Sequence, residues 1–225
     1  MQSEPSQSME IQVVKTTPYA GQKPGTSGLR KKVVDFQKPN YVENFIQSYF
    51  NALRRDALSR TCLLNSAKNS LLIGGDGRYL SQEVIGVICK IACANGVDEV
   101  HVAKNGLMST PACSAYIRML NEKYGNCIGG ILLTASHNPG GPNEDFGIKF
   151  NSRNGGPALE EFTNLVHLET TKINEYKTIN FDFVSHINLA EVKDHVFENV
   201  KRPRKSTFTV KVVENVQGYV DLMKT

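Results

Sequence analysis

The sequence is short of several things, and each shortage removes a class of function. No stretch approaches the ~18 consecutive apolar residues that a membrane-crossing helix needs. The first ten residues, Met1 to Glu10, are polar and lack the apolar centre of a secretory signal, so they read as a loose tail. Charge of one sign is not in excess: 26 basic residues against 22 acidic ones leave a formal +4. The basic residues cluster only at Lys201-Arg202-Pro203-Arg204-Lys205, with no aromatic residue interleaved as a single-strand nucleic-acid binder would have. That run reads as a solvated linker, and no nucleic-acid partner is expected. Cysteines number five, Cys62, Cys89, Cys93, Cys113 and Cys127, with no C-x-x-C pair for zinc. Cys89 and Cys93 lie one turn apart on an apolar helical face and read as small buried hydrophobes. Reduced thiols point to a cytoplasmic protein. The G-x-S-x-G elbow of serine hydrolases is missing too, since Thr134 and Asn138 stand where its glycines would be.

What is present is an ordinary globular composition, 40% hydrophobic and 21% charged over 225 residues, enough for one large core or one domain and part of another. Ile11 to Thr16 alternates as a first strand. Pro18 to Arg30 is a glycine-punctuated loop whose amides, with Thr26, Ser27 and Arg30, suit a phosphate. Asn40 and Glu43 have capping-box spacing before a helix whose Val42, Phe45, Ile46, Tyr49, Phe50 and Leu53 form a core stripe. Leu71 to Ile73 is a buried strand that breaks at Gly74-Gly75-Asp76-Gly77-Arg78, read as a tight strand-to-helix turn. A helix over 82–95 ends at Gly96, and Glu99 to Ala103 is the next strand. Asn105-Gly106 turns the chain, Thr110 and Pro111 read as N-cap and N1 of a helix to Tyr124, and a strand over Ile128 to Thr134 follows. Alternating strands and helices predict an α/β fold: a three-layer sandwich with a mixed, largely parallel sheet flanked by helices. In such sheets ligands gather at the carboxyl ends of strands, where Asp76, the Asn105-Gly106 turn and Ser136 fall. A helix over 158–171, weak strands to residue 204, a clean strand over 207–213 and a final helix from Asn215 complete the pattern. The last strand and helix have no evident packing partner. The organisation expected is a tail (1–10), a main domain (11–206) and the start of a second (207–225).

The chemistry concentrates at Thr134-Ala135-Ser136-His137-Asn138-Pro139-Gly140-Gly141, with Lys149 on the strand pattern behind it. A buried strand delivers Ser136 to a turn forced by Pro139, Gly140, Gly141 and Pro142. On spacing alone, a turn in which Ser136 and Asn138 bond their own backbone explains the segment as well as an active site does.

The motif resembles the serine loop of the α-D-phosphohexomutase family, and the wider stretch is similar to phosphoglucomutase of the eukaryotic type. Gln22 to Arg30, Gly74 to Arg78, Asn105 to Pro111 and Asn154 to Pro157 match further family motifs in order, so the resemblance covers roughly residues 11–215. It implies the first domain of a four-domain enzyme of glucose and carbohydrate metabolism that interconverts glucose 1-phosphate and glucose 6-phosphate. Ser136 is then the phosphoserine, passing its phosphoryl group through glucose 1,6-bisphosphate. His137 and Lys149 fall at catalytic-loop positions, and Thr26, Ser27 and Arg30 at substrate- or phosphate-contacting ones. Mg2+ is implied, held by the Ser136 phosphate and by a D-G-D-G-D-R loop that this sequence does not contain. The chain alone is therefore expected to be inactive, hexose phosphates are the expected partners, and a full-length form is expected to be monomeric. The alternative is a non-catalytic scaffold or binding protein like parafusin or aciculin. The loop that separates glucose from mannose lies outside this sequence.

Overall fold

The computed structural model describes residues 9–25, 28–56, 68–203, 205–214 and 216–224. Nine strands are described: β1 (Ile11–Lys15), β2 (Leu29–Lys32), β3 (Ser70–Gly75), β4 (Glu99–Ala103), β5 (Cys127–Leu133), β6 (Asp145–Asn151), β7 (Glu175–Ile179), β8 (Lys193–Phe197) and β9 (Phe208–Val213). The helices are α1 (Val33–Phe36), α2 (Tyr41–Arg55), α3 (Ser81–Ala94), α4 (Thr110–Tyr124), α5 (Glu160–Thr170) and α6 (Gln217–Met223).

Seven strands form one sheet in the order β2-β6-β5-β3-β4-β9-β8. The neighbouring pairs among β5, β3, β4 and β9 are parallel, while β2, β6 and β8 join antiparallel at the two flanks. β3 lies at the centre, and all six of its residues are buried, which is why its sequence is a continuous run and not an alternation. Leu71 and Ile73 face one core with α2, α3 and α5, and Leu72 faces the other with α4 and Tyr219 of α6. The mixed three-layer sandwich expected from the sequence is therefore present. β1 and β7 form a separate two-stranded antiparallel ribbon packed against α3.

The helical stripe of α2 is buried as its spacing requires, and Phe45 and Tyr49 stack on Phe150 of β6 with ring centroids 5.3 and 4.3 Å apart. Its expected capping box is not formed. Asn40 is left-handed at φ 60°, and its Oδ1 accepts from the Tyr176 hydroxyl at 3.0 Å, so the side chain ties α2 to β7 instead. The N-cap of α4 is Ser109, whose Oγ accepts from the Ala112 amide at 3.3 Å; Thr110 is the first helical residue and Pro111 the second. Asn105 and Gly106 both have positive φ, as their turn requires. Cys89 and Cys93 are buried as expected; Cys62 lies outside the described residues.

One expectation at the C-terminal side is corrected. The strand and helix after residue 206 do have packing partners: β9 runs parallel along β4 from Glu99↔Thr209 to Ala103↔Val213, and α6 packs on α4. The boundary expected at 206/207 thus falls between β8 and β9, two hydrogen-bonded strands of one sheet.

The basic run before it is not simply solvated. Arg202 is 3% exposed and pairs with the buried Asp98 at 3.1 Å. It also donates to the carbonyls of Val97 at 2.6 Å, Lys205 at 2.9 Å, Cys93 at 3.4 Å and Thr207, and lies over the Phe208 ring. One guanidinium therefore seals the entry of β9 to the end of α3. Arg202→Ala would leave Asp98 Oδ1 and these carbonyls without this donor, while Asp98 Oδ2 keeps Lys205 and the Asn69 amide, at a cost of about 3 kcal/mol. Urea unfolding checks this; a loss below about 1 kcal/mol would mean that water replaces the guanidinium without penalty.

Candidate active site

β5 ends at Leu133, and the chain then leaves the sheet for an eleven-residue excursion, 134–144, before β6 brings it back antiparallel. The last tie to the sheet is the Thr134 amide, which donates to the Gly147 carbonyl at 2.9 Å. Gly147 has no room for a side chain: a Cβ there would sit 2.3 Å from the Thr134 carbonyl oxygen. Ser136 follows with φ 56°, a left-handed conformation that L residues adopt at a cost. Its side chain is exposed at the carboxyl end of β5, beside Asp76 at the end of β3.

Three sets of contacts hold the loop. Thr134 Oγ1 accepts from the Ser136 amide at 3.0 Å and donates to Asp76 Oδ2 at 2.7 Å. Asn138 donates to Asp145 Oδ2 at 2.8 Å, and Lys32 pairs with the other oxygen of Asp145 at 2.9 Å. These partners hold the Asp145 carboxyl below its ordinary range, with the Lys32 hydrogen bond the largest cause and the Asn138 bond next. Arg78, 7% exposed, lies under the loop and donates to the carbonyls of Ser136 (2.8 Å), Asn138 (3.0 Å), Pro139 (3.1 Å) and Asp145 (2.8 Å). A cleft of about 440 Å³ opens beside it, lined by Asp76, Gly77, Arg78, Tyr79, Gly140 and Gly141.

The cations at Ser136 come from the neighbouring strands. Arg30 is on β2 and not in a loop as the sequence suggested; it is register partner to Gly147 of β6. Lys149 is two residues further along β6, so it shares a sheet face with Arg30 across the diagonal. Arg30 Nη2 donates to Ser136 Oγ at 2.7 Å. Its Nε is buried with no hydrogen-bond partner. The Lys149 pKa is lowered, first by burial and then by repulsion from Arg30. Among the described residues, neither Arg30 nor Lys149 has a carboxylate partner, whereas Asp76 and Asp145 are already engaged. The site therefore holds an exposed hydroxyl bonded by one uncompensated cation, Arg30, with a second, Lys149, near that guanidinium, an arrangement suited to an anionic group on that oxygen.

Of the residues singled out in the sequence, Arg30 meets Ser136, and Lys149 lies near enough to Arg30 to be repelled by it. His137 is adjacent in the chain but exposed, with no hydrogen bond to any described residue. Thr26 and Ser27 lie outside the described residues. The Asn105-Gly106 turn is also at the carboxyl end of the sheet, and the Met108 amide that follows it bonds the Gly75 carbonyl at 2.9 Å. The bland reading of the motif fails in one respect: Ser136 Oγ is held by Arg30 and the Asn138 side chain by Asp145, not by their own backbone. Sequence reasoning missed the parts played by Asp76, Arg78 and Thr134. The available signal was an Asp-Gly-Arg triplet at the end of the strand next to β5. For a divalent cation the described residues do not suffice. Asp76 Oδ2 is occupied by Thr134 and Arg78, and no group of three or more His, Cys, Asp or Glu among the described residues could hold a metal.

A family model described as phosphoglucomutase/phosphomannomutase, alpha/beta/alpha domain I, matches residues 21–177. The chain is 57% identical over 210 residues to Phosphoglucomutase-1 of Paramecium tetraurelia, covering 93% of this chain and 35% of that protein. It is 46% identical over 217 residues to the cytoplasmic phosphoglucomutase of Mesembryanthemum crystallinum, covering 96% and 35%. A crystal structure of the exocytosis-sensitive phosphoprotein pp63/parafusin (phosphoglucomutase) from Paramecium, in its open form, superposes with a TM-score of 0.91 at 55% identity, over 97% of this chain and 37% of that one. The chain thus spans about a third of the length of the relatives it matches. The family model over most of the chain, the identity to these relatives and the superposed structure show that this chain belongs to the phosphoglucomutase/phosphomannomutase family.

Proposed function

We propose that this chain is the serine-bearing part of a phosphoglucomutase, in which Ser136 carries the phosphoryl group exchanged between glucose 1-phosphate and glucose 6-phosphate. The observation that carries the reading is the 2.7 Å hydrogen bond from Arg30 to Ser136 Oγ, with neither Arg30 nor Lys149 neutralised by a carboxylate. In the forward half-reaction the Ser136 Oγ–P bond breaks and a bond forms from phosphorus to a sugar hydroxyl oxygen. The hydroxyl proton leaves to a base, and Ser136 Oγ regains a proton. Glucose 1,6-bisphosphate results. After it reorients, its other phosphate is returned to Ser136 by the same steps in reverse.

Charge neutralisation and positioning supply most of the catalysis of such a transfer. Arg30 stabilises the group at Ser136 Oγ, and Lys149 is assigned charge neutralisation on the moving phosphoryl and, ahead of His137, the role of proton acceptor. His137, exposed on the loop, is kept as a catalytic-loop residue. Thr26 and Ser27, close in sequence to Arg30, are assigned to substrate contact. Mg2+ belongs to this reading with the Ser136 phosphate as one ligand; this chain does not complete its coordination, and the other ligands come from outside the sequence. The protein is proposed to be cytoplasmic, in keeping with the plant relative's name and with no described helix being long and apolar enough to cross a membrane. A monomeric full-length form is proposed. The hydrogen bond from Arg30 to Ser136 Oγ supports this over a purely scaffolding role.

Intact-mass analysis tests it. A full-length protein carrying this segment, incubated with glucose 1,6-bisphosphate, is expected to gain one phosphoryl group, mapped by peptide fragmentation to Ser136. An adduct on another residue, or none, would reject the assignment and leave the scaffold reading.

A further inference from the structure

We infer that Arg78 is the positioning residue of the serine loop, with a task distinct from that of Arg30; this rests on the proposed phosphoryl-carrier role of Ser136. An arginine has five N–H donors and no acceptor. Those of Arg78 are matched by five acceptors: Nε to Asp76 Oδ2 at 3.2 Å, Nη1 to the carbonyls of Pro139 and Asp145, and Nη2 to those of Ser136 and Asn138. None remains for a phosphate. Arg30 differs, since its Nε is unpartnered and its Nη2 already meets the reacting oxygen.

The acceptors show what Arg78 does. Three carbonyls of the loop, including that of Ser136 itself, and the carbonyl of Asp145 at the start of β6 converge on a single buried guanidinium. Carbonyl oxygens left facing the anion would repel it. Bonded to Arg78, their negative ends are neutralised by its guanidinium, while Oγ meets Arg30. The same contacts hold Ser136 in its left-handed conformation, which the backbone would otherwise leave. Asp76 completes the frame, because its Oδ2 receives both Arg78 Nε and Thr134 Oγ1, and Thr134 Oγ1 receives the Ser136 amide. A fork with fixed geometry is needed: a lysine ammonium offers three donors from one point and cannot reach acceptors spread from residue 136 to residue 145.

The test is made on the full-length protein. Arg78→Lys and Arg78→Ala are expected to lower kcat roughly 100-fold with KM changed by less than about threefold, because the hydroxyl is misplaced while the sugar-binding groups are untouched. Added methylguanidinium is expected to restore part of kcat to Arg78→Ala and none to Arg78→Lys, a response that lost fold stability alone does not produce. A crystal structure of the phosphorylated wild type is expected to show Arg78 on the same five acceptors with no bond to phosphate; this reads the proposal even if neither variant folds. Wild-type kcat in Arg78→Lys, or Arg78 bound to the phosphoryl oxygens, would overturn it. Ser136→Ala is the control. Should that variant keep turnover, the phosphoserine reading itself has failed, an outcome separate from failure of the role given to Arg78.

Discussion

Ser136→Gly is expected to abolish phosphoryl acceptance by the full-length protein and yet leave it more stable than Ser136→Ala. The first half follows from chemistry, since no oxygen remains at the end of β5 to form the ester. The second follows from the backbone. Ser136 has φ 56°, where a Cβ costs about 1–2 kcal/mol and glycine nothing. Glycine loses more conformational entropy on folding, which returns about 0.5–1 kcal/mol of that advantage. Both variants lose the same bond from Arg30, so their difference isolates the conformational cost: glycine should be the more stable by up to about 1.5 kcal/mol. Paired melting curves and intact-mass spectra check the two halves together. Alanine the more stable would show that the loop does not strain Ser136; a surviving adduct would remove the serine from the mechanism. The expected result is the familiar opposition between stability and activity, placed at a single φ angle.

Much of this fold is legible because its elements obey simple periods. The α2 stripe, the alternation of Phe146, Ile148 and Phe150 with Gly147 and Lys149, and the unbroken apolar run of β3 each fix one surface of one element. The strand-end position of Ser136 follows from that alone. Pairings between distant segments were less legible. Nothing local in Leu29 to Lys32 shows that it is an edge strand bringing Arg30 to Gly147. The Lys201–Lys205 run looks solvated by composition, because the sequence does not show that Asp98 is waiting under Arg202. Asn40 has the composition of a cap, but a partner 136 residues away, Tyr176, takes its side chain. In the site, the residue that bonds Ser136 Oγ was marked by motif, while Arg78 and Thr134 were passed over because their partners are backbone carbonyls and a carboxylate on other strands. Sequence patterns report which face a residue occupies; they are silent about which distant acceptor that face meets.

Lys149→Met is expected to lower kcat of the full-length enzyme about 1000-fold, the scale on which a cation acts on a transferring phosphoryl group. The unphosphorylated site explains why the cation is worth keeping despite its cost. Burial and the Arg30 guanidinium both depress the Lys149 pKa from its ordinary 10.5. A lysine pKa that is lower folded than unfolded means that the charged form is penalised on folding. That penalty is fully present below the folded pKa and is relieved as pH rises through it toward 10.5. Removing the ammonium should therefore leave stability at neutral pH unchanged or slightly raised, as a melting curve of Lys149→Met would show. Phosphorylation of Ser136 reverses the balance. A group carrying about −1.5 to −2 charges beside both cations turns their mutual repulsion into shared attraction and raises the Lys149 pKa again. Phosphorylated wild type should accordingly gain more in melting temperature over its unphosphorylated form than phosphorylated Lys149→Met gains over its own. Lys149→Arg separates the two tasks of the residue. A permanent cation that keeps its proton restores charge neutralisation but accepts nothing from the sugar hydroxyl. Recovery to near wild-type kcat would confine Lys149 to electrostatics and hand the proton to another base, with His137 the next group to replace. A variant as slow as Lys149→Met would place both tasks on the amine, and kcat within tenfold of wild type in Lys149→Met itself would refute its part in the transfer.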